Sequence, residues 1–261
     1  MPDAGNERIA RAFDLRHSFT TFTQRCGEAN VSTMIDHARD LLSVHEATDR
    51  LLTAAAKLDN ASVAEPSRLP GWSRGHVLAH LARNADALVN VLEGRPMYAS
   101  AATRDADIAR DATRPVDVHL TDVRDSGGRF RTAGEAPADW SRTVELRNGV
   151  TDAAARVPFR RWVEVELHHV DLGIGYELED LPAEFVERET GFLAERFTGR
   201  PDVPPTRLTD GTRAWSTGRE ADAPRITVRG PAPDLLGWLA GRRDGSGLST
   251  EGGVLPTLPP L

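Results

Sequence analysis

The chain has 261 residues and a formal net charge of −7, enough for one large domain or two smaller ones and of the wrong sign for non-specific nucleic-acid binding. No apolar run approaches the roughly 18 residues of a membrane-spanning helix, and "MPDAGNERIARAF" carries no apolar stretch of a secretory signal. Cys26 is the only cysteine, which excludes an internal disulfide and a thiolate metal cluster and leaves a cytoplasmic location as the expectation.

Residues 1–31 have mixed periodicity and read as an N-terminal extension. From Ser32, the expected N-cap, a long amphipathic helix should run with Met34, Ile35, Ala38, Leu41, Leu42, Ala47, Leu51 and Leu52 on its apolar side. The prolines and glycine of "AEPSRLPGW" break it. A second helix follows in "SRGHVLAHLARNADALVNVLEG", capped by Ser73, ended by Gly94 and striped by Leu78, Leu81, Leu88 and Leu92. "RPMYASAATRDADIARDATRP" reads as a loop leading into another helix. "VDVHLTDVRDSGGRFRTAGEAPADW" predicts a third main helix, with Val116, Leu120, Val123 and Phe130 inward and "SGG" as its weak point. "RTVELRNG" fits a hairpin arm or a loop. "PFRRWVEVELHHVDLGIGY" predicts the fourth, with Pro158 at its start and Gly173 at its end.

After about residue 200 the texture changes. "GRPDVPPTRLTDG" is rich in proline and glycine and marks a boundary. "TRLTDGTRAWSTG" and "PRITVRG" look like short strands around turns. "PAPDLLGWLAGRR" predicts a helix carrying Leu235, Leu236, Trp238 and Leu239, and "LPTLPPL" an irregular tail. The expected organisation is the extension (1–31), a helical domain of four main helices (32–200) and a smaller α+β domain (201–261).

Two residue pairs have i, i+4 helical spacing: His76/His80 and Glu164/His168. That spacing puts both side chains on one face, about 5–6 Å apart at Cβ. Such a pair can grip one metal ion, although an ordinary surface ion pair is the commoner use of Glu164 and His168. Catalytic zinc takes three protein ligands and keeps a fourth position open. One histidine of the second helix with Glu164 and His168 of the fourth meets that count, and helical bundles build metal sites from facing helices. Spacing does not choose between His76 and His80. Asp171 lies near the face of His168, as an orienting carboxylate or as a helix-end acid with no partner in the site. His169 points about 100° away and falls outside the set.

"LPGWSRGHVLAHLARNADAL", "RPMYAS", "EVELHHVDLG" and "GWLAGRRDGSGL" together resemble the mycothiol-dependent maleylpyruvate isomerase family, from about residue 32 to the end. The resemblance implies a DinB-like four-helix bundle followed by a smaller C-terminal α+β domain. It implies a divalent metal, usually zinc, held by His80, Glu164 and His168, which selects His80 over His76. It also implies an arginine of the C-terminal domain at the site, Arg242 in "AGRRDG" with Arg243 adjacent, able to hold a substrate carboxylate. The cofactor would be mycothiol, a low-molecular-weight thiol made reactive by zinc, so no catalytic cysteine is required. The implied reaction converts maleylpyruvate to fumarylpyruvate by thiolate addition, bond rotation and thiol expulsion. The same metal triad serves mycothiol S-transferases, which keep the thiol on an electrophile. Family members often carry arginine directly before the glutamate, where this chain has Val163. With the extension, this keeps the S-transferase as the second reading. The partners implied are a small-molecule substrate and the thiol.

Overall fold

The computed structural model describes residues 35–217 and 224–259. The extension, Cys26, Ser32 and Met34 lie outside them. Helix α1 (His37–Ala55) starts on Asp36, whose side chain accepts from the Arg39 backbone N–H at 3.0 Å. Its buried stripe is Leu41, Val44, Ala47, Leu51 and Ala55, whereas Leu42 is 66% exposed and Ile35 lies before the helix. The stripe expected from the sequence mixed two phases. A helix buries one, and a residue one position off it is turned about 100° outward.

A short α2 (Asn60–Ala64) precedes α3 (Arg74–Leu92). Ser73 caps α3 as expected, and His76 completes a capping box with it. Past its end Gly94 takes φ 76°, a left-handed conformation that glycine adopts without strain. Helix α4 (Ala101–Asp111) starts on Ser100. Gly75 lets α3 start hard against the end of α4, since a Cβ there would stand 2.1 Å from the Ala112 carbonyl oxygen. Helix α5 (Val116–Glu135) runs unbroken through Gly127 and Gly128 and buries Val123 and Phe130. A hairpin of β1 (Thr143–Glu145) and β2 (Thr151–Ala153) leads to α6 (Val157–Asp171), with Pro158 in its first turn and Gly173 beyond its end.

Helices α1, α3, α5 and α6 close a ring of contacts, α3 on α5, α5 on α1, α1 on α6 and α6 on α3. Inside it Leu51, Leu78, Leu81 and Phe130 are fully buried.

Helix α7 (Ala183–Phe197) was not singled out in the sequence. It packs against α8 (Ala232–Leu239) and against β4 (Ala214–Ser216), where the Trp215 ring lies over Gly191. In packing it therefore goes with elements that follow the proline- and glycine-rich stretch, not only with the helices before it. The second sheet is ordered β4–β3–β5–β6, with β3 (Thr206–Thr209) parallel to β5 (Ile226–Arg229) and the other pairs antiparallel. Strand β6 (Ser249–Glu251) was not read from the sequence; all its residues are exposed, so it has no apolar alternation to betray it. The protein is thus mixed, with an N-terminal helical part and a smaller C-terminal sheet region. No helix of the described residues is long and apolar enough to cross a membrane.

Candidate metal centre

The site begins with two helix ends held together. The loop before α3 is closed by the Pro66–Ser73 bridge, and Arg68 donates its backbone N–H to the Asp171 carbonyl at 2.8 Å. The Arg74 side chain, at the start of α3, donates Nε–H to the Leu172 carbonyl at 2.9 Å. The start of α3 and the end of α6 are therefore fixed in register. On α6, the i, i+4 spacing puts Glu164 and His168 on one face, and α3 presents His80 to it.

The three side chains converge. A ligating atom from each of His80, Glu164 and His168 lies within 4.8 Å of the others. His80 Nε2 is 2.9 Å and His168 Nε2 3.3 Å from the same oxygen, Glu164 Oε2. The two imidazoles meet edge to face with centres 4.6 Å apart. His80 is buried, His168 nearly so, and Glu164 keeps about a third of its side chain open to solvent (32%). Two imidazole nitrogens and a carboxylate oxygen around one point, with one open side, fit a catalytic divalent ion.

Behind His168 stands Asp171. Its Oδ2 accepts from His168 Nδ1 at 2.8 Å, which fixes the ring and aims Nε2 at the centre. Asp171 is 1% exposed and is held from its other side by Arg242, through Nη2 at 2.9 Å and Nε at 3.2 Å. The third Arg242 nitrogen, Nη1, donates to the Ala240 carbonyl. Arg243 turns away, to Asp234 and Glu179. The structure thus separates the two adjacent arginines: Arg242, for which the resemblance implies a substrate carboxylate, is engaged with Asp171.

The titration behaviour follows from this packing. Burial pushes His80 down to about 4, so it is a neutral imidazole at neutral pH. Burial also opposes charge on His168, but Asp171 and Glu164 outweigh it and raise its pKa. Burial likewise works against ionised Glu164, yet its hydrogen bonds to His168 and His80 hold it well below the usual carboxylate range. Asp171 is lowered against its burial by His168 and Arg242.

Trp72, Tyr98 and Arg104 reach the centre from segments with no spacing relation to α6. Trp72 lies edge-on to the His80 ring at 5.6 Å. Arg104 of α4 brings Nη2 to 3.3 Å from His80 Nδ1, beside the Tyr98 ring. Arg161, one turn before Glu164, is 1% exposed and donates to the Leu81 carbonyl and the Asn84 side chain, tying α6 to α3. His76 lies outside the centre as the partner of Ser73. His169 is buried and stacks on Tyr176 at 4.0 Å, away from the three ligands. Its face of α6 also carries Glu166, fully buried and bonded to Arg50, Trp162 and the Tyr176 hydroxyl.

Residues 44–173 match the family model of the mycothiol maleylpyruvate isomerase N-terminal domain, and residues 180–260 match that of the C-terminal domain of the same enzymes. The chain belongs to the mycothiol maleylpyruvate isomerase family, a family of enzymes. The two matches meet just ahead of α7. A crystal structure of a mycothiol-dependent maleylpyruvate isomerase is similar over 87% of this chain and 97% of its own, at 26% identity and a TM-score of 0.78. A histidine-to-alanine mutant of such an isomerase is similar over the same shares at 25% identity and a TM-score of 0.78. No curated protein matches the chain.

Proposed function

We propose that the chain is a cytoplasmic, metal- and mycothiol-dependent isomerase that converts maleylpyruvate to fumarylpyruvate. The observation that carries this reading is the convergence of His80, Glu164 and His168 with Asp171 behind His168, in a chain of this family. The ring of four helices, with the donors on two of them, is assigned to the DinB-like bundle type. A two-histidine, one-glutamate set suits zinc, although other first-row ions fit the same donors.

A divalent ion at these donors lowers the pKa of a nearby thiol, which supplies a sulfur nucleophile able to add reversibly to the cis double bond and so permit rotation. The residues of the chain do the rest. His80 is kept neutral and available as a donor by burial. Asp171 orients His168, and Arg242 holds Asp171 ionised and in place. The open side at Glu164 is where thiol and substrate enter. Supplying maleylpyruvate with and without mycothiol and following fumarylpyruvate tests the reading. Thiol-dependent turnover that falls by roughly a hundredfold or more in His80→Ala and Glu164→Ala, together with their loss of zinc, is the expected result. No turnover with either thiol condition overturns the isomerase.

A mycothiol S-transferase is the second reading. Val163, where family members often place arginine, is packed against the core beside Glu164 and offers no charge to an anionic substrate. Mass spectrometry of the product separates the two, since isomerisation leaves the substrate mass unchanged and transfer adds the thiol.

A further inference from the structure

The three arginines around the centre are committed to different degrees. Arg242 spends all its nitrogens on buried Asp171 and the Ala240 carbonyl. Arg161 gives Nη1 to the backbone and a side chain of α3, while its Nε and Nη2 are buried against the helices without a hydrogen-bond partner and face no ligand atom of the centre within hydrogen-bond distance. Arg104 is different. Its side chain is only 12% exposed, yet its ion pair, through Nη1, is with Asp105, whose side chain is 63% exposed. Its Nη2 faces His80 Nδ1 at 3.3 Å.

A guanidinium has donors only. The contact with His80 is therefore a hydrogen bond only while Nδ1 carries a lone pair. Neutral His80 then has its proton on Nε2, where Glu164 Oε2 accepts it at 2.9 Å. A metal ion on Nε2 requires the opposite tautomer, with the hydrogen on Nδ1. Two N–H groups would then face each other across 3.3 Å, one of them on a cation. Arg104 and a metal ion thus compete for the tautomer of His80.

We propose that Arg104 is the carboxylate-binding residue of the metal-loaded site, displaced from His80 when the ion binds and thereby freed for an anionic group of the substrate. The proposal rests on the metal reading given above. Asp105 holds Nη1, so the Nη2 edge is the one released toward the centre. The Tyr98 ring, 5.8 Å from the guanidinium carbon, gives the displaced group an aromatic face to lie on. A carboxylate is the partner that a nearly buried guanidinium pairs with best. The arrangement also couples the two ligands. An anion that draws Arg104 off His80 favours the metal-binding tautomer, and by reciprocity the metal favours the anion.

The test uses zinc and maleate, a thiol-free cis-diacid probe, on the full chain. Zinc affinity is measured by competition with a chromophoric chelator, with and without maleate, and maleate binding by calorimetry on the zinc-loaded protein. The expected result for the wild type is zinc binding tightened several-fold by maleate. In Arg104→Gln, zinc affinity should be equal or higher, because the glutamine oxygen can accept from Nδ1–H. Its maleate affinity should fall by about tenfold or more, with the coupling gone, and Arg104→Lys should keep part of both. Maleate binding and coupling unchanged in Arg104→Gln would overturn the proposal alone. So would zinc affinity lowered tenfold in both variants, which would make Arg104 a support of the centre. A wild type that takes up no zinc overturns the metal reading and this proposal with it.

Discussion

Each residue of "EVELHHVDLG" has work set by which face of α6 it occupies. Glu164 and His168 face α3 and the centre, while Glu166 and His169 face α1 and Tyr176. Asp171 belongs to the first group because it reaches His168 from the last turn, and its burial makes its two partners indispensable to it. Asp171→Asn should therefore loosen His168 and leave Arg242 without its carboxylate. Zinc affinity should fall roughly 10- to 100-fold, read by chelator competition, with far-UV circular dichroism unchanged. An unaltered affinity would mean that His168 needs no orienting partner. His169, by contrast, is buried with neither ring nitrogen hydrogen-bonded, and burial lowers its pKa to about 4. It is neutral in the fold and protonates first in the unfolded chain. Between pH 6.5 and about 4 the unfolded state therefore binds the extra proton, and stability falls as pH falls through that window. In metal-free protein this should cost about 3 kcal/mol at the acid end. Urea titrations across the window should show a shallower decline for His169→Phe, which keeps the stack on Tyr176. Equal slopes would refute the assignment.

At the scale of elements, the centre depends on how α3, α4 and α6 meet. Gly75 sets the approach of α3 to α4, and α4 carries Arg104. Gly75→Ala would drive a methyl group into the Ala112 carbonyl, so backbone has to move. The expected destabilisation is about 1–3 kcal/mol, seen as a lower urea midpoint, together with an altered response of zinc binding to maleate. A neutral outcome would mean that the end of α4 yields freely. The Pro66–Ser73 bridge and the Arg74 contact to the end of α6 do the same for α3 and α6. These contacts explain how His80 reaches an oxygen of Glu164, 84 residues away in sequence.

At the scale of the whole molecule, Arg242 brings the segment after α8 to the last turn of α6, and α7 lies between the two parts in sequence while packing on α8 and β4. The C-terminal part thus contributes to the centre by holding Asp171. The isomerase reading places the chemistry in the N-terminal part and the fixing of one of its ligands partly in the C-terminal one.

The amino-acid order by itself determined the main helices, because capping residues and apolar repeats are local: Ser73, Gly94, Pro158 and Gly173 all stand where the structure uses them. It also determined that Glu164 and His168 share a face, since helical spacing alone requires it. It misjudged the phase of α1, where Leu42 is apolar but exposed, and passed over β6, whose residues carry no alternation. Only the tertiary structure decided that Arg242 meets Asp171, that Arg104 faces His80 and that Glu166 is buried. Those facts depend on which helices pack together and at what offset, and a donor and acceptor far apart in sequence leave no periodicity by which to find each other.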